Sequence, residues 1–96
     1  MVILGQILQF GFDEDMDHWL FCHGQELLIK DHAGLFSLLG TYFGGDGIHT
    51  FMLPDLRIRD PENGLYYKHG SIMPNGVMYL ESRINIDGEY PDLDDD

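Results

Sequence analysis

Ninety-six residues, 44% of them hydrophobic, suffice for one small domain with a single modest core. Seventeen Asp and Glu against five Lys and Arg give a net charge of −12, which argues against direct binding to nucleic-acid phosphates or an anionic membrane, since both need clustered cations, and favours a basic protein partner. A lone cysteine, Cys22, excludes an intramolecular disulfide, no run approaches membrane-spanning length, and Met1-Val2-Ile3-Leu4 lacks the basic start of a secretory leader, so no signal peptide is expected.

Gly5 to Phe12, GQILQFGF, places Ile7, Leu8, Phe10 and Phe12 between glycines and predicts a strand that starts the sheet. Asp13, Glu14, Asp15 and Asp17 follow, too repulsive to bury, and read as a solvated loop. A calcium loop of the EF-hand type needs a central glycine and a terminal glutamate, and this stretch supplies neither.

Trp19-Leu20-Phe21-Cys22 and Leu27-Leu28-Ile29 are apolar runs separated by His23-Gly24, which predicts a hairpin with a His-Gly turn. On a strand, His23 points away from Cys22, so the thiol is read as buried and inert. Leu35, Phe36, Leu38 and Leu39 predict one short helix near residues 32–39, with Asp31 as N-cap and Gly40 as its stop. Gly44, Gly45 and Gly47 surround Asp46, a composition suited to positive φ and a sharp turn. A phosphate-cradling loop would need a following Lys-Ser/Thr and a helix, whereas a strand-like run from Phe51 to Leu56 follows, broken at Pro54-Asp55.

Beyond Arg57, charges of both signs lead to the turn-forming Asn63-Gly64. Leu65-Tyr66-Tyr67 predicts a short strand, Pro74-Asn75-Gly76 another turn, and Val77 to Leu80 with Ile84 and Ile86 a last extended segment. Tyr66, Tyr67 and Tyr79 would make a stacking platform for bases, but with so few cations near them sheet and core packing is the better reading. The acids from Asp87 to Asp96 and those of residues 13–17 are more than half of the total. Folded to one side, they would make a strongly negative face.

Chemistry has little to stand on. His18, His23, His32, His49 and His69 show no H-x-x-x-H or HExxH spacing and no second cysteine completes a zinc set, so no metal is expected in a monomer, although a three-fold axis could gather one histidine per chain. Ser37, Ser71 and Ser82 lack the G-x-S-x-G context of a nucleophile. Neither an enzyme nor a cofactor is expected.

The run from Trp19 to Leu27, WLFCHGQEL, resembles the W-x-x-C-x-G-Q-x-L of the phage tail-collar domain family, which also occurs in the microcystin-dependent proteins. LFSLLG from Leu35, TYFGGDG from Thr41 and TF-x-LPDLR from Thr50 match it at the family's spacing, and Gly5-Gln6-Ile7 is similar to its initial strand. Met73-Pro74 and Gly88-Glu89-Tyr90-Pro91 are similar to its closing M-P and G-[IF]-[FY]-P segments, with one insertion. The match is specific over 5–57 and weak over 73–91. Ile58 stands where the family usually has the glycine of LRGR, and the long middle region of relatives is reduced to residues 58–72, so no metal or receptor site is carried over from it.

The resemblance implies an α+β collar fold of short strands and hairpins over residues 1–91, followed by an acidic tail at 92–96. It implies structural roles for Trp19, Gly24, Gly44, Gly45, Asp46, Gly47, Pro54 and Asp55, a tendency to form a homo-trimer, and a non-catalytic place in a phage or prophage tail as a structural or receptor-contacting component. The charge suggests an alternative in the host cytoplasm: an acidic decoy that fills the Lys/Arg-lined nucleic-acid groove of a host defence enzyme, carboxylates standing in for phosphates. Its contacts would be Asp13, Glu14, Asp15, Asp17, Asp92, Asp94, Asp95 and Asp96, which otherwise serve as a solubilising surface.

Overall fold

A computed structural model describes residues 1–92, and Asp94, Asp95 and Asp96 lie outside the described residues. Its strands are β1 (Ile7–Gln9), β2 (Trp19–Phe21), β3 (Glu26–Leu28), β4 (Thr50–Met52) and β5 (Ser82–Asn85), with one helix, α1 (Ala33–Leu39), entered through a 3-10 turn at Ile29–Asp31. They form two small antiparallel sheets, one ordered β1-β5-β2 and the other β3-β4. This is a small α+β domain, as expected.

The central strand of the larger sheet comes from the far end of the chain. Ile84 of β5 stands opposite Ile7 on one side and Leu20 on the other, and Arg83, Ile84 and Asn85 are all buried. Ile84 joins Leu4, Cys22, Leu35, Phe51 and Leu53 in the core, ringed by half-buried Leu20, Leu27, Phe36, Leu38 and Ile86. Leu35 anchors α1 in this cluster, and the Phe36 ring lies 5.5 Å from that of Phe51, which ties the helix to β4. Apolar burial of this kind, and not helix propensity, holds a seven-residue helix together.

The predicted hairpin across His23-Gly24 does not form. β2 pairs with β5 and β3 with β4, because the backbone groups that a hairpin would have paired are taken by other segments: Cys22 N–H donates to Ser82 O at 2.9 Å, Cys22 O accepts from Leu56 N–H at 2.9 Å and Gln25 O accepts from Leu53 N–H at 3.1 Å, while the Gln25 side chain braces the crossing at Phe21 O and His23 N–H. The chain thereby crosses from one sheet to the other. Asp31 is not the N-cap of α1. That position falls to His32, whose side chain makes no capping bond, while Asp31 ends the 3-10 turn.

Two further extended segments also fold differently. Residues 65–67 make one isolated bridge, Arg59 with Tyr66, closing a turn in which Asp60 N–H donates to Leu65 O at 2.7 Å. Val77 to Leu80 does not continue into β5. It folds back on Ser71 to Met73 around Pro74-Asn75-Gly76, with Met73 N–H donating to Val77 O at 2.8 Å and a bridge from Ile72 to Met78.

Gly45 shows how tightly the loop before β4 is built. At φ +96° a Cβ would lie 2.7 Å from Thr50 O and closer still to Phe51 Cα, both backbone atoms that cannot swing aside. Gly11 has open space around it and an ordinary φ. Gly45→Ala is therefore expected to lower unfolding stability by about 3 kcal/mol in urea titration, a typical overpacking cost, while Gly11→Ala changes it little.

Candidate functional site

Two of the motifs singled out above meet in one junction. Gly24 N–H donates to Pro54 O at 3.1 Å, Leu53 N–H to Gln25 O at 3.1 Å and Leu56 N–H to Cys22 O at 2.9 Å. Gly24 sits at φ +74°, and a Cβ there would press on Asp55 Cβ at 3.2 Å, so this approach favours glycine both for its conformation and for its size. Pro54 is fully buried beneath it. Arg57 locks the outer rim, donating from Nε and Nη2 to the two Asp55 carboxylate oxygens at 2.9 and 2.8 Å, and from Nη2 to His23 O at 3.0 Å. The guanidinium holds the Asp55 carboxyl down at about 2, from an ordinary 3.8.

The glycine loop spends its aspartate internally. Asp46 Oδ1 accepts the backbone N–H groups of Ile48, His49 and Thr50 at 2.8 to 2.9 Å, bonds that hold its carboxyl well below the usual carboxylate range. Gly44 O accepts from Met52 N–H, and the N–H groups of Gly44, Asp46 and Gly47 donate to Thr41 O, Thr50 Oγ1 and Thr50 O, so these groups are engaged within the loop itself. Beside this loop a groove of about 390 Å³ is lined by Leu28, Ile29, Lys30, Ile48 and His49.

Asp13, Glu14, Asp15 and Asp17 are exposed on the loop between β1 and β2, and its anchor is a residue that pattern reading missed. Arg83 is 1% exposed. Its guanidinium carbon lies 4.5 Å from the Phe21 ring centroid and 5.5 to 5.6 Å from those of Phe12 and Phe10, while Nη2 donates to Phe12 O at 3.2 Å. Cation-π attraction takes the place of an ion pair, and among the described residues no carboxylate is paired with Arg83. The loop's far end is held at His18, which has φ +72°. Its ring contacts the Asp87 carboxylate and its carbonyl accepts from Ile86 N–H and Asn85 Nδ2. Asp87 is thus the acid placed beside the 13–17 loop. Beyond it Glu89 pairs with Ile3 and the Tyr90 hydroxyl bonds Ser37 on α1, which leads exposed Asp92 on past the helix. Trp19 is half-buried, its indole edge-on to Phe10 at 5.2 Å.

A family model described as the phage tail collar domain matches residues 5–61, more than half of the chain. The chain belongs to the phage tail collar domain family. A search of curated proteins finds no match. The matched span contains the junction and the glycine loop. At Cys22 burial, with the nearby Glu81 and Asp55 charges, pushes the thiol up to about 12, far from the thiolate needed for reactivity. β5, Arg83 and a second hairpin, Ser71 to Met73 paired with Val77 to Leu80 around Pro74-Asn75-Gly76, lie beyond the match.

Two measurements probe these placements. Arg83→Met should leave β5 buried but release Phe12, so that a protease specific for acidic residues cuts within 13–17 several-fold faster than in the parent chain. Because the Asp55 carboxyl is depressed on folding, its contribution is complete above the ordinary 3.8 and fades as pH falls through about 2. The urea midpoint of the parent chain should therefore drop over that interval more steeply than that of Asp55→Asn.

Proposed function

We propose that this collar domain is a non-catalytic structural part of a phage tail, that it assembles as a trimer, and that residues 55–80 form the surface meeting a neighbouring copy or a receptor. Family membership supports the first part. One observation carries the rest. Residues 55–80 contain Asp55, Asp60 and Glu62 against Arg57, Arg59 and Lys68, so this stretch is neutral and the whole charge of −12 resides elsewhere. The same stretch exposes Leu56, Ile58, Leu65, Ile72, Val77 and Met78, with Leu65 67% and Ile72 60% exposed. Copies of so acidic a chain repel one another, and a neutral apolar surface is where they meet with least opposition. Arg57 and Arg59 both lie over the Tyr66 ring, at 4.0 and 4.3 Å, which stiffens that surface without adding net charge.

Light scattering is expected to give three times the 11.0 kDa chain mass, with assembly favoured by salt because screening weakens the repulsion. The pair Leu65→Glu and Val77→Glu should return a folded monomer. A parent chain that stays monomeric at every concentration would remove the trimer, and its absence from purified tails by mass spectrometry would remove the tail assignment.

The acidic decoy of a host nucleic-acid enzyme is favoured by a different observation, the exposure of Asp13, Glu14, Asp15 and Asp17 on a loop pinned at Phe12 and His18. It predicts salt-sensitive capture of a basic nucleic-acid enzyme that weakens when these four acids are replaced by their amides. Capture that ignores the replacement would discard it.

A further inference from the structure

His69 and Glu81 stand at the two ends of the second hairpin, in which Gly70 N–H donates to Tyr79 O and Tyr79 N–H to Ser71 O. The Glu81 backbone N–H donates to His69 Nδ1 at 3.0 Å. That nitrogen can accept only while it carries no proton, so the ring is neutral with its hydrogen on Nε2. His69 Nε2 is itself buried and has no hydrogen-bond partner among the described residues. The Glu81 carboxylate faces the other way: Oε2 meets His23 Nε2 at 2.9 Å and accepts from the Tyr79 hydroxyl at 3.1 Å, its side chain 14% exposed. Glu81 thus joins the hairpin to the collar junction, with an imidazole on each side.

We propose that Glu81 is the shared arm of a proton-operated latch. With His69 neutral, the backbone of Glu81 closes the base of the hairpin. A second proton on Nδ1 removes the acceptor and turns it into a competing donor, so the base opens, while a protonated His23 grips the Glu81 carboxylate more firmly. Protonation of the two imidazoles therefore moves the hold on Glu81 from the hairpin to the junction. The Asp55 carboxylate and the Arg57 guanidinium act on the His23 and Glu81 side of the latch, and Lys68 adjoins His69 in the chain. Tyr79 and Cys22 stay uncharged, since burial pushes the pKa of both up. The hairpin displays Ile72, Val77 and Met78, so the latch would set how firmly they are presented. That consequence rests on the contact surface proposed above, whereas the latch itself does not.

Amide hydrogen exchange of the full chain, followed by NMR and corrected for intrinsic rates, tests it from about pH 8 to about pH 5.5. Protection of the Glu81 and Gly70 amides should fall about tenfold, the factor one ordinary hydrogen bond supplies, while the Leu53 and Leu56 amides of the junction hold. In His69→Gln, whose side-chain oxygen accepts without titrating, the Glu81 amide should stay protected throughout. Should that variant fail to fold, the ring nitrogen shifts of His69 in the parent chain serve instead, and must show the Nε2-protonated tautomer at high pH. Glu81 protection that ignores pH, that falls equally in His69→Gln, or that survives a doubly protonated His69 ring would overturn the latch. Chain mass recorded in the same samples separates failure of the latch from failure of the assembly reading.

Discussion

The structure depends on the close passage of residues 22–25 against residues 53–57. Residues 22–25 carry the chain from β2 of one sheet to β3 of the other, and residues 53–57 follow β4, the partner of β3, so it is here that the two sheets become one body. Three backbone hydrogen bonds set the separation, the absent side chain of Gly24 permits it, and the Asp55–Arg57 pair reaches across to the His23 carbonyl to close it. Cys22, Leu53 and Pro54 then lie buried directly behind. A surface ion pair alone contributes little. Here it works together with buried apolar residues and a backbone contact that would otherwise open to water.

Around that junction the chain separates its tasks by charge. The glycine loop and the LPDLR segment use their polar groups on their own backbone: Asp46 takes up three amides and Asp55 an arginine. The exposed acids of residues 13–17 sit on a loop between two strands, and the neutral stretch 55–80 exposes Leu56, Ile58, Leu65, Ile72, Val77 and Met78.

Much of this was legible in the sequence. The helix near residues 32–39 and the turns at Asn63-Gly64 and Pro74-Gly76 are short-range features, dictated by residues a few positions apart. The partners of the strands were not, because Trp19-Leu20-Phe21 reads the same whether it pairs with the next apolar run or with Ser82 to Asn85, and the choice is made by bonds to segments distant in the chain, such as Cys22 N–H to Ser82 O. Arg83 escaped for a related reason. Alternation places it opposite Ile84, on the face that a small sheet would normally leave wet, and the aromatic cover from Phe10, Phe12 and Phe21 cannot be deduced from spacing. Glu81 and His69 were invisible as a pair, since their bond joins a side chain to a backbone amide across a hairpin.

The position of β5 has a consequence for how the chain acquires its shape. Ser82–Asn85 is the middle strand of the larger sheet, and β1 and β2 touch it but not each other. During synthesis both edge strands leave the ribosome before β5, with residues 22–81 separating β2 from it and nothing between the two edges. The α1 helix and the β3-β4 pair can gather locally in that interval, but the larger sheet waits for a closure over most of the chain, an entropic delay that slows folding and leaves Ile7, Leu8 and Leu20 uncovered meanwhile. The four acids of residues 13–17, between β1 and β2, put like charge beside those uncovered strands, which opposes association of nascent copies.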